Sequence, residues 1–461
     1  MSAVLTTAFA ADEMRSRGYT VIEGPDTPIE GGAADSRNVR PRDLFCAFPG
    51  EATDGNLYVN AALEAGAAAV LCSRVPEGDW PDQTIIVAPD TTLAIGELAR
   101  AWRDYCNPRV VGITGTVGKT TAKDLTATAL ATRFRTHRSK GNLNSREGLP
   151  LALLSLHRDH EVSVLEMAMD SKGEIRYLSS IAKPEVGVVL NIGLTHVSKL
   201  GSIEAIAEEK LSLVRGLASW GTAVVNSDDP RIASACAGLP CRVINFGKHA
   251  KGPEALVYSN ERDNVLEGTE FDVTFAGETM HARSPLPGIH TIPAALTAIA
   301  SGLALGLSLQ DAVDALATAT MDEGRMQIRQ AANGATILDD RYNSSPASLA
   351  GALRVLAGRP APRIALLGRM AELGEHEEDE HHAAGRIAAE CADVVIGVGE
   401  PCRLLVNAAE AAGLADVHWF EEKDEAAALA ASRMTPEATV LVKASRSQAF
   451  ETIIPILEGA R

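Results

Sequence analysis

The chain has 461 residues, enough for about three domains at roughly 150 residues each. Its 46% hydrophobic and 22% charged residues are the balance of a globular protein with buried cores, which excludes a disordered or fibrous chain. The formal net charge of −17 repels phosphate backbones and anionic lipid, so neither nucleic-acid binding nor membrane insertion is expected, and an anionic substrate would need cations gathered locally.

Near the N-terminus Ala8, Phe9 and Ala10 mimic a cleavage site, but a basic n-region and an apolar core are lacking, so no signal peptide is expected. Seven scattered cysteines with no CxxC pair read as free buried thiols in a reducing cytoplasm. Short strand-like runs at 43–48, 67–72 and 84–87 alternate with small helices. From residue 109 the pattern becomes regular. A β-branched run at 110–114 leads into a Gly-rich turn and a helix over 120–132, and continuous apolar strands follow at 162–167, 186–192 and 223–226. The uncharged stretch 291–310, rich in Ala, Gly, Ser and Thr with Pro293 near its start, is too weakly apolar for lipid and reads as a buried helix. After a break near Met321, strands at 335–339, 363–367, 394–398 and 439–442 alternate with Ala-rich helices, and 411–430 reads as a solvated helix. The expectation is an α/β protein of three domains, 1–107, 108–320 and 321–461. The central one is a P-loop parallel sheet with helices on both faces, and the last is a Rossmann-like α/β unit.

The strongest local signal is Gly112-Ile113-Thr114-Gly115-Thr116-Val117-Gly118-Lys119-Thr120-Thr121. A strand, a Gly-rich turn and a helix follow in the order a phosphate cradle requires. Backbone N–H groups face the phosphates, Lys119 reaches the outer oxygens and the Thr120 hydroxyl can hold Mg²⁺. The usual spacing puts a glycine at position 113, where this chain has Ile113.

A phosphate loop alone allows kinases, ATPases and ligases, and the motifs around it narrow the choice. Asp35-Ser36-Arg37, Asp43-Leu44-Phe45 and Asp54-Gly55 precede the loop. Gly141-Asn142-Leu143-Asn144, Gly148-Leu149-Pro150, Glu166-Met167, Gly173-Glu174-Ile175, Asn191-Ile192-Gly193 with His196, and Gly201-Ser202 with Glu204 and Lys210 follow it. Gly324-Arg325, Asp339-Asp340-Arg341-Tyr342-Asn343 with Pro346, Leu367-Gly368, Glu372-Leu373-Gly374, His381, and Lys443 with Ser445-Arg446 complete the series. This series, over essentially the whole chain, resembles the Mur ligases, the ATP-dependent amino-acid and peptide ligases of cell-wall synthesis. The segment Asp339-Asp340-Arg341-Tyr342-Asn343 is similar to the one that marks the dipeptide-adding member.

The resemblance implies a cytoplasmic, monomeric enzyme of peptidoglycan precursor synthesis. Such an enzyme uses ATP and Mg²⁺ to join D-alanyl-D-alanine to UDP-MurNAc-tripeptide through an acyl phosphate, releasing ADP and phosphate. It implies catalytic roles for Lys119, Lys210 and Arg325, the last from the C-terminal domain on closure. ATP would be bound by Gly115, Thr116, Gly118, Lys119, Thr120, Thr121, Asn191, Arg325 and Asp340, and metal held by Thr120, Glu166, His196 and Lys210. Ser36, Arg37, Asn144, Tyr342 and Asn343 would hold substrate. In similar ligases the lysine matching Lys210 is carbamylated. Read alone, Lys210 is also a solvated lysine of the run Glu208-Glu209-Lys210, His196 a structural histidine, and Asn343-Ser344-Ser345-Pro346 good turn chemistry. His376, His381 and His382 among four acids read as a solvated helical face rather than a metal cluster. The chain departs from the family pattern at Ser145-Arg146-Glu147, at Thr291 and Ala294 where asparagines are usual, at Arg369 and at Ala444. A sister ligase adding one amino acid, a folylpolyglutamate-synthetase-like enzyme, and a non-catalytic paralogue that only binds nucleotide are the competing readings. Asp339-Asp340-Arg341-Tyr342-Asn343 argues against the first two.

Overall fold

The computed structural model describes residues 4–50, 53–193, 200–264, 268–321 and 323–459. They build a mixed α/β architecture around three main sheets that follow one another along the chain. In the first, Thr84–Val87, Ala69–Cys72, Asp43–Cys46 and Gly31–Ala33 run parallel in that order, and Thr20–Ile22 pairs antiparallel outside Thr84–Val87.

Helix Thr91–Cys106 joins this unit to the next. The Asp90 carboxylate accepts the Leu93 N–H at 2.8 Å as its N-cap, and Asn107 ends it in the left-handed region at φ 51°. Its buried stripe of Ala94, Ile95, Leu98, Ala99, Trp102 and Cys106 belongs to a core that continues into central helices Gly148–Leu153 and Glu174–Ala182. Trp102 Nε1 donates to the Leu156 carbonyl at 2.8 Å, and Arg103 Nε to the Ala182 carbonyl at 2.9 Å. Burying those polar atoms is tolerable because each finds an acceptor across the junction.

The central sheet has nine strands. Thr136–Arg138, Val162–Glu166, Arg109–Thr114, Val186–Val189, Thr222–Asn226, Arg242–Gly247 and Ala255–Asn264 are parallel neighbours in that order, and a hairpin of Gly268–Phe275 and Glu278–Ser284 extends one edge antiparallel. Its strands read as unbroken apolar runs because both faces are covered. Val110 points into one core, while Val111 and Ile113 point into the other with helices Lys119–Leu130 and Ile292–Ala304. The chain leaves Arg109–Thr114 toward one edge and returns on its other side at Val186–Val189, which makes the carboxyl end of Arg109–Thr114 a topological switch point. The stretch expected as one buried helix is buried only as far as Leu305, and it splits into Ile292–Ala304 and Leu309–Ala317 around the exposed Gly306 at φ +94°. Among the described residues no helix is long and apolar enough to cross a membrane.

The last sheet orders Gln327–Gln330, Thr336–Asp339, Thr439–Lys443, Arg363–Gly368, Val394–Val398 and Val417–Phe420, all parallel except the first. Here the solvated helix expected over 411–430 is corrected. Gly413 at φ +98° ends helix Pro401–Ala411, Val417–Phe420 forms the edge strand, and helix Lys423–Arg433 buries Ala426, Ala427 and Ala430. Composition hid this, because alanine serves buried faces and solvated helices equally.

Candidate active site

Gly115 opens the loop at the carboxyl end of Arg109–Thr114. A Cβ there would stand 2.8 Å from Leu190 Cβ, so only glycine lets the loop pass Leu190. This explains Ile113: the usual first glycine position is here still strand, fully buried, and Gly115 makes the close approach. Gly118 adopts φ +78° and sets the start of helix Lys119–Leu130, whose first N–H groups have no partner within the helix.

Asn191 does not point away from the loop. Its Oδ1 accepts the N–H groups of Thr116 and Val117, both at 2.9 Å, and its Nδ2 donates to the Val117 carbonyl at 3.0 Å. Gly193 N–H reaches Thr116 Oγ1 at 2.8 Å. Asn191 therefore shapes the cradle, and the amides that remain for an anion are those opening the helix.

Glu166 ends strand Val162–Glu166, beside the loop and only 2% exposed. One of its oxygens accepts the Thr120 hydroxyl at 2.7 Å and the other accepts Asn144 Nδ2 at 2.8 Å. Asn144, expected against substrate, is thus also a partner of the carboxylate. Its loop is pinned from behind by Lys123, a wholly buried ammonium that donates to the Ser139 carbonyl at 2.7 Å. Nothing in the linear sequence separates Lys123 from a surface lysine except its place one turn after Lys119 on a helix that packs on both sides.

Lys119 Nζ lies on the Thr116 carbonyl at 3.1 Å. Burial pulls its pKa down and nearby Arg325 adds to this, while Glu166 and Glu372 oppose it. Lys210 is 2% exposed and donates to the Gly115 carbonyl at 2.9 Å from beneath the loop. Burial, followed by the charge of Lys119, holds its amine well below the usual lysine range. The reading of Lys210 as solvated is thereby excluded. Its neighbour Glu209 is also buried, accepting the N–H groups of Gly173 at 2.7 Å and Ile175 at 2.8 Å where helix Glu174–Ala182 starts. His196 lies outside the described residues.

The C-terminal unit contributes Arg325. Its guanidinium sits 3.8 Å from the Tyr342 ring centroid, and its Nε and Nη2 are buried without a hydrogen-bond partner among the described residues. Charged donors buried and unpaired are costly, and they mark a place where an anion is expected. Asp340 accepts the Met326 N–H at 3.0 Å and pairs with Lys443, which also donates to the Asn343 carbonyl at 2.9 Å. That carboxylate therefore fixes the turn presenting Arg325. His381 is fully buried, its Nε2 accepting the Met370 N–H at 3.1 Å and its Nδ1 lying 2.7 Å from the Glu377 carbonyl, as a structural histidine does. Among the described residues no three His, Cys, Asp or Glu side chains are grouped to hold a metal.

Ser36 and Arg37 stand apart from the loop, on the turn after strand Gly31–Ala33. Arg37 is bound through Nε and Nη2 to Asp35 and is largely exposed. Thr291 Oγ1 is spent on the Gly288 carbonyl at 2.7 Å, and Ala294 is buried in its helix.

Residues 28–103, 113–302 and 324–446 match, in turn, the Mur ligase family catalytic domain, the Mur ligase middle domain and the Mur ligase glutamate ligase domain. The chain is 33% identical over 433 residues to the UDP-N-acetylmuramoyl-tripeptide–D-alanyl-D-alanine ligase of Bacillus subtilis, covering 93% of each. Of the solved structures, MurF from Acinetobacter baumannii is similar at 28% identity and a TM-score of 0.84 over 99% of both chains. The MurF ligase of Thermotoga maritima in complex with ADP is similar at 27% identity and a TM-score of 0.78, over 93% of this chain and 97% of that one.

Proposed function

The chain belongs to the Mur ligase family, and we propose that it joins D-alanyl-D-alanine to UDP-N-acetylmuramoyl-tripeptide with conversion of ATP to ADP and phosphate. The observation that supports the reading is Lys119 on the phosphate loop with Arg325, from the next sheet, near enough for its charge to act on that lysine and with Nε and Nη2 buried without a partner among the described residues.

The chemical difficulty is charge, because the acceptor carboxylate must approach a γ-phosphate that repels it. Helix N–H groups and Lys119 would meet that phosphate with positive charge, and Arg325 would add its own from the C-terminal unit on closure. The carboxylate attacks the phosphorus, the bond to the ADP oxygen breaks, and an acyl phosphate forms. The dipeptide amine then attacks the acyl carbon, phosphate leaves and the amine proton is lost. The Thr120 hydroxyl and Glu166 carboxylate are hard oxygen donors already in contact beside the cradle, and they suit Mg²⁺, which takes few protein oxygens when it shares phosphate oxygens. When bound, the ion would spread the phosphate charge.

Lys210 fits the carbamylated lysine of similar ligases. Its depressed pKa favours the neutral amine, which is the form that adds CO₂ with loss of a proton. Asp340 would serve the nucleotide through the turn it holds, with Tyr342 and Asn343 beside it. Ser36 and Arg37 would hold the uridine end. Seven free buried cysteines are compatible with action in the cytoplasm.

The test is phosphate release by purified protein with Mg-ATP and UDP-MurNAc-tripeptide, with and without D-alanyl-D-alanine. Release that needs both substrates, with a product heavier by one dipeptide, is expected. ATP binding without release would return the reading to a non-catalytic paralogue.

A further inference from the structure

Strand Arg363–Gly368 lies beside Thr439–Lys443 in the last sheet, and the segment from Arg369 to Gly374 leaves its carboxyl end. Ligand sites of α/β sheets form at such ends. The segment is tied down at successive residues. His381 Nε2 accepts the Met370 N–H at 3.1 Å, and Ser445 Oγ accepts the Ala371 N–H at 2.8 Å. Ser445 Oγ also donates to the Ser344 carbonyl at 3.4 Å, one residue past the Asn343 carbonyl that Lys443 holds. It is thereby fastened to the stretch 340–344, which positions Arg325 through the Asp340 bond to Met326 and the Tyr342 ring.

Glu372 comes next, at φ 66°. A glutamate in the left-handed region is uncommon and strained, and strain of this kind gathers at functional sites. Its side chain is exposed and makes no hydrogen bond or ion pair among the described residues. Its charge nevertheless acts on Lys119, as do those of Glu166 and Arg325. Glu166 has spent both oxygens, on Thr120 and Asn144, and Asp340 is paired with Lys443. Of these three carboxylates only Glu372 has both oxygens open among the described residues.

Ligation gives such a group a task. Its first step gathers cations around the phosphate, and its second makes the attacking nitrogen positive among those same cations. Once the amine lone pair has closed the bond to the acyl carbon, the nitrogen carries one proton too many. The adduct reverts unless a base removes that proton.

Resting on the ligase reading above, we propose that Glu372 is the base of the second step. Its carboxylate accepts the proton from the dipeptide nitrogen while the carbon–oxygen bond to phosphate breaks and the electron pair leaves with the phosphate. The carboxyl then returns the proton to water. The negative charge of Glu372 also offsets the repulsion that Lys119 and Arg325 exert on a positive nitrogen.

The test separates the two steps, using the full chain with Mg-ATP and UDP-MurNAc-tripeptide. Hydroxylamine, offered in place of D-alanyl-D-alanine, traps the acyl phosphate as a hydroxamate. It is a weaker base than an amino-acid amine, so its adduct sheds the proton to water unaided. Glu372→Gln is expected to keep hydroxamate formation within about twofold and to lower kcat for dipeptide ligation by about 10²-fold or more. Glu372→Asp, which keeps a carboxylate, is expected to lose less. Loss of both reactions in E372Q would mean that Glu372 acts through Lys119 on phosphoryl transfer, and a raised dipeptide KM at unchanged kcat would make it an anchor for the ammonium. Either result, or unchanged ligation, overturns the base. Neither hydroxamate nor ligated product from the unaltered protein would instead defeat the ligase reading, so the two failures are told apart.

Discussion

The fold holds the two cations of the proposed site, Lys119 and Arg325, differently. Lys119 rests on a loop carbonyl, whereas two guanidinium nitrogens of Arg325 have nothing to donate to among the described residues. Lys119→Ala should lower kcat by about 10²–10³. Arg325→Met should fall in the same range while changing unfolding stability by less than about 1 kcal/mol, since it gives up only the stacking on Tyr342. Steady-state kinetics and urea unfolding of the same preparations check both, and an Arg325 variant that unfolds early but turns over normally would make the residue a structural one. The run Glu208-Glu209-Lys210 shows where residue-level reading stops. Glu208 stays exposed in an ion pair with Arg215, while helical periodicity turns Glu209 and Lys210 inward. The partners that make their burial tolerable lie about 35 residues away for Glu209 and about 95 away for Lys210, out of reach of local pattern.

Four strands of the central sheet were legible as apolar, β-branched runs, and Arg109–Thr114 with the following helix came through within a residue or two, whereas Arg242–Gly247 and Ala255–Asn264 were not read. Nor was Thr136–Arg138, because three residues carry too little periodicity to register. It nevertheless places His137 in the interior, with Nδ1 at 2.8 Å from Ser163 Oγ and Nε2 at 3.1 Å from Ser155 Oγ. Burial pushes the pKa of this imidazole down to about 3. Between that value and about 6.5 the unfolded chain binds a proton that the folded chain refuses. Stability therefore rises with pH across this window and is lost as pH falls through it, by at most about 1.4 kcal/mol per pH unit. Urea midpoints measured from pH 7 to pH 4 should show this slope, and His137→Gln should flatten it. An unchanged slope would assign the acid sensitivity to other groups.

On the scale of the molecule, the cores divide the chain unequally. One core runs without a break from Leu5 through Trp102 to Cys241, so the first sheet and one face of the central sheet share it. The last sheet owns two cores of its own, built from residues 326–457. Calorimetry should accordingly show two transitions, with the first two units unfolding together and the C-terminal unit separately. Mg-ADP should raise both and draw them closer, as the proposed site draws Lys119 from one unit and Arg325 from the other. Three independent transitions would mean that the Trp102 junction contributes little.

Much of this protein is written locally. The strand–turn–helix of the phosphate loop, the alternation of strands and helices, and the ordered motifs from Asp35 to Arg446 depend on neighbours within a few residues, so the α/β class and the Mur ligase resemblance were available from sequence. Tertiary structure alone decided that Asn191 shapes the loop it follows, that Asn144 meets Glu166, and that Lys210 lies beneath Gly115. Each of these joins residues far apart in the chain, and whether a charge is solvated or buried against a partner is settled only when packing has removed the water.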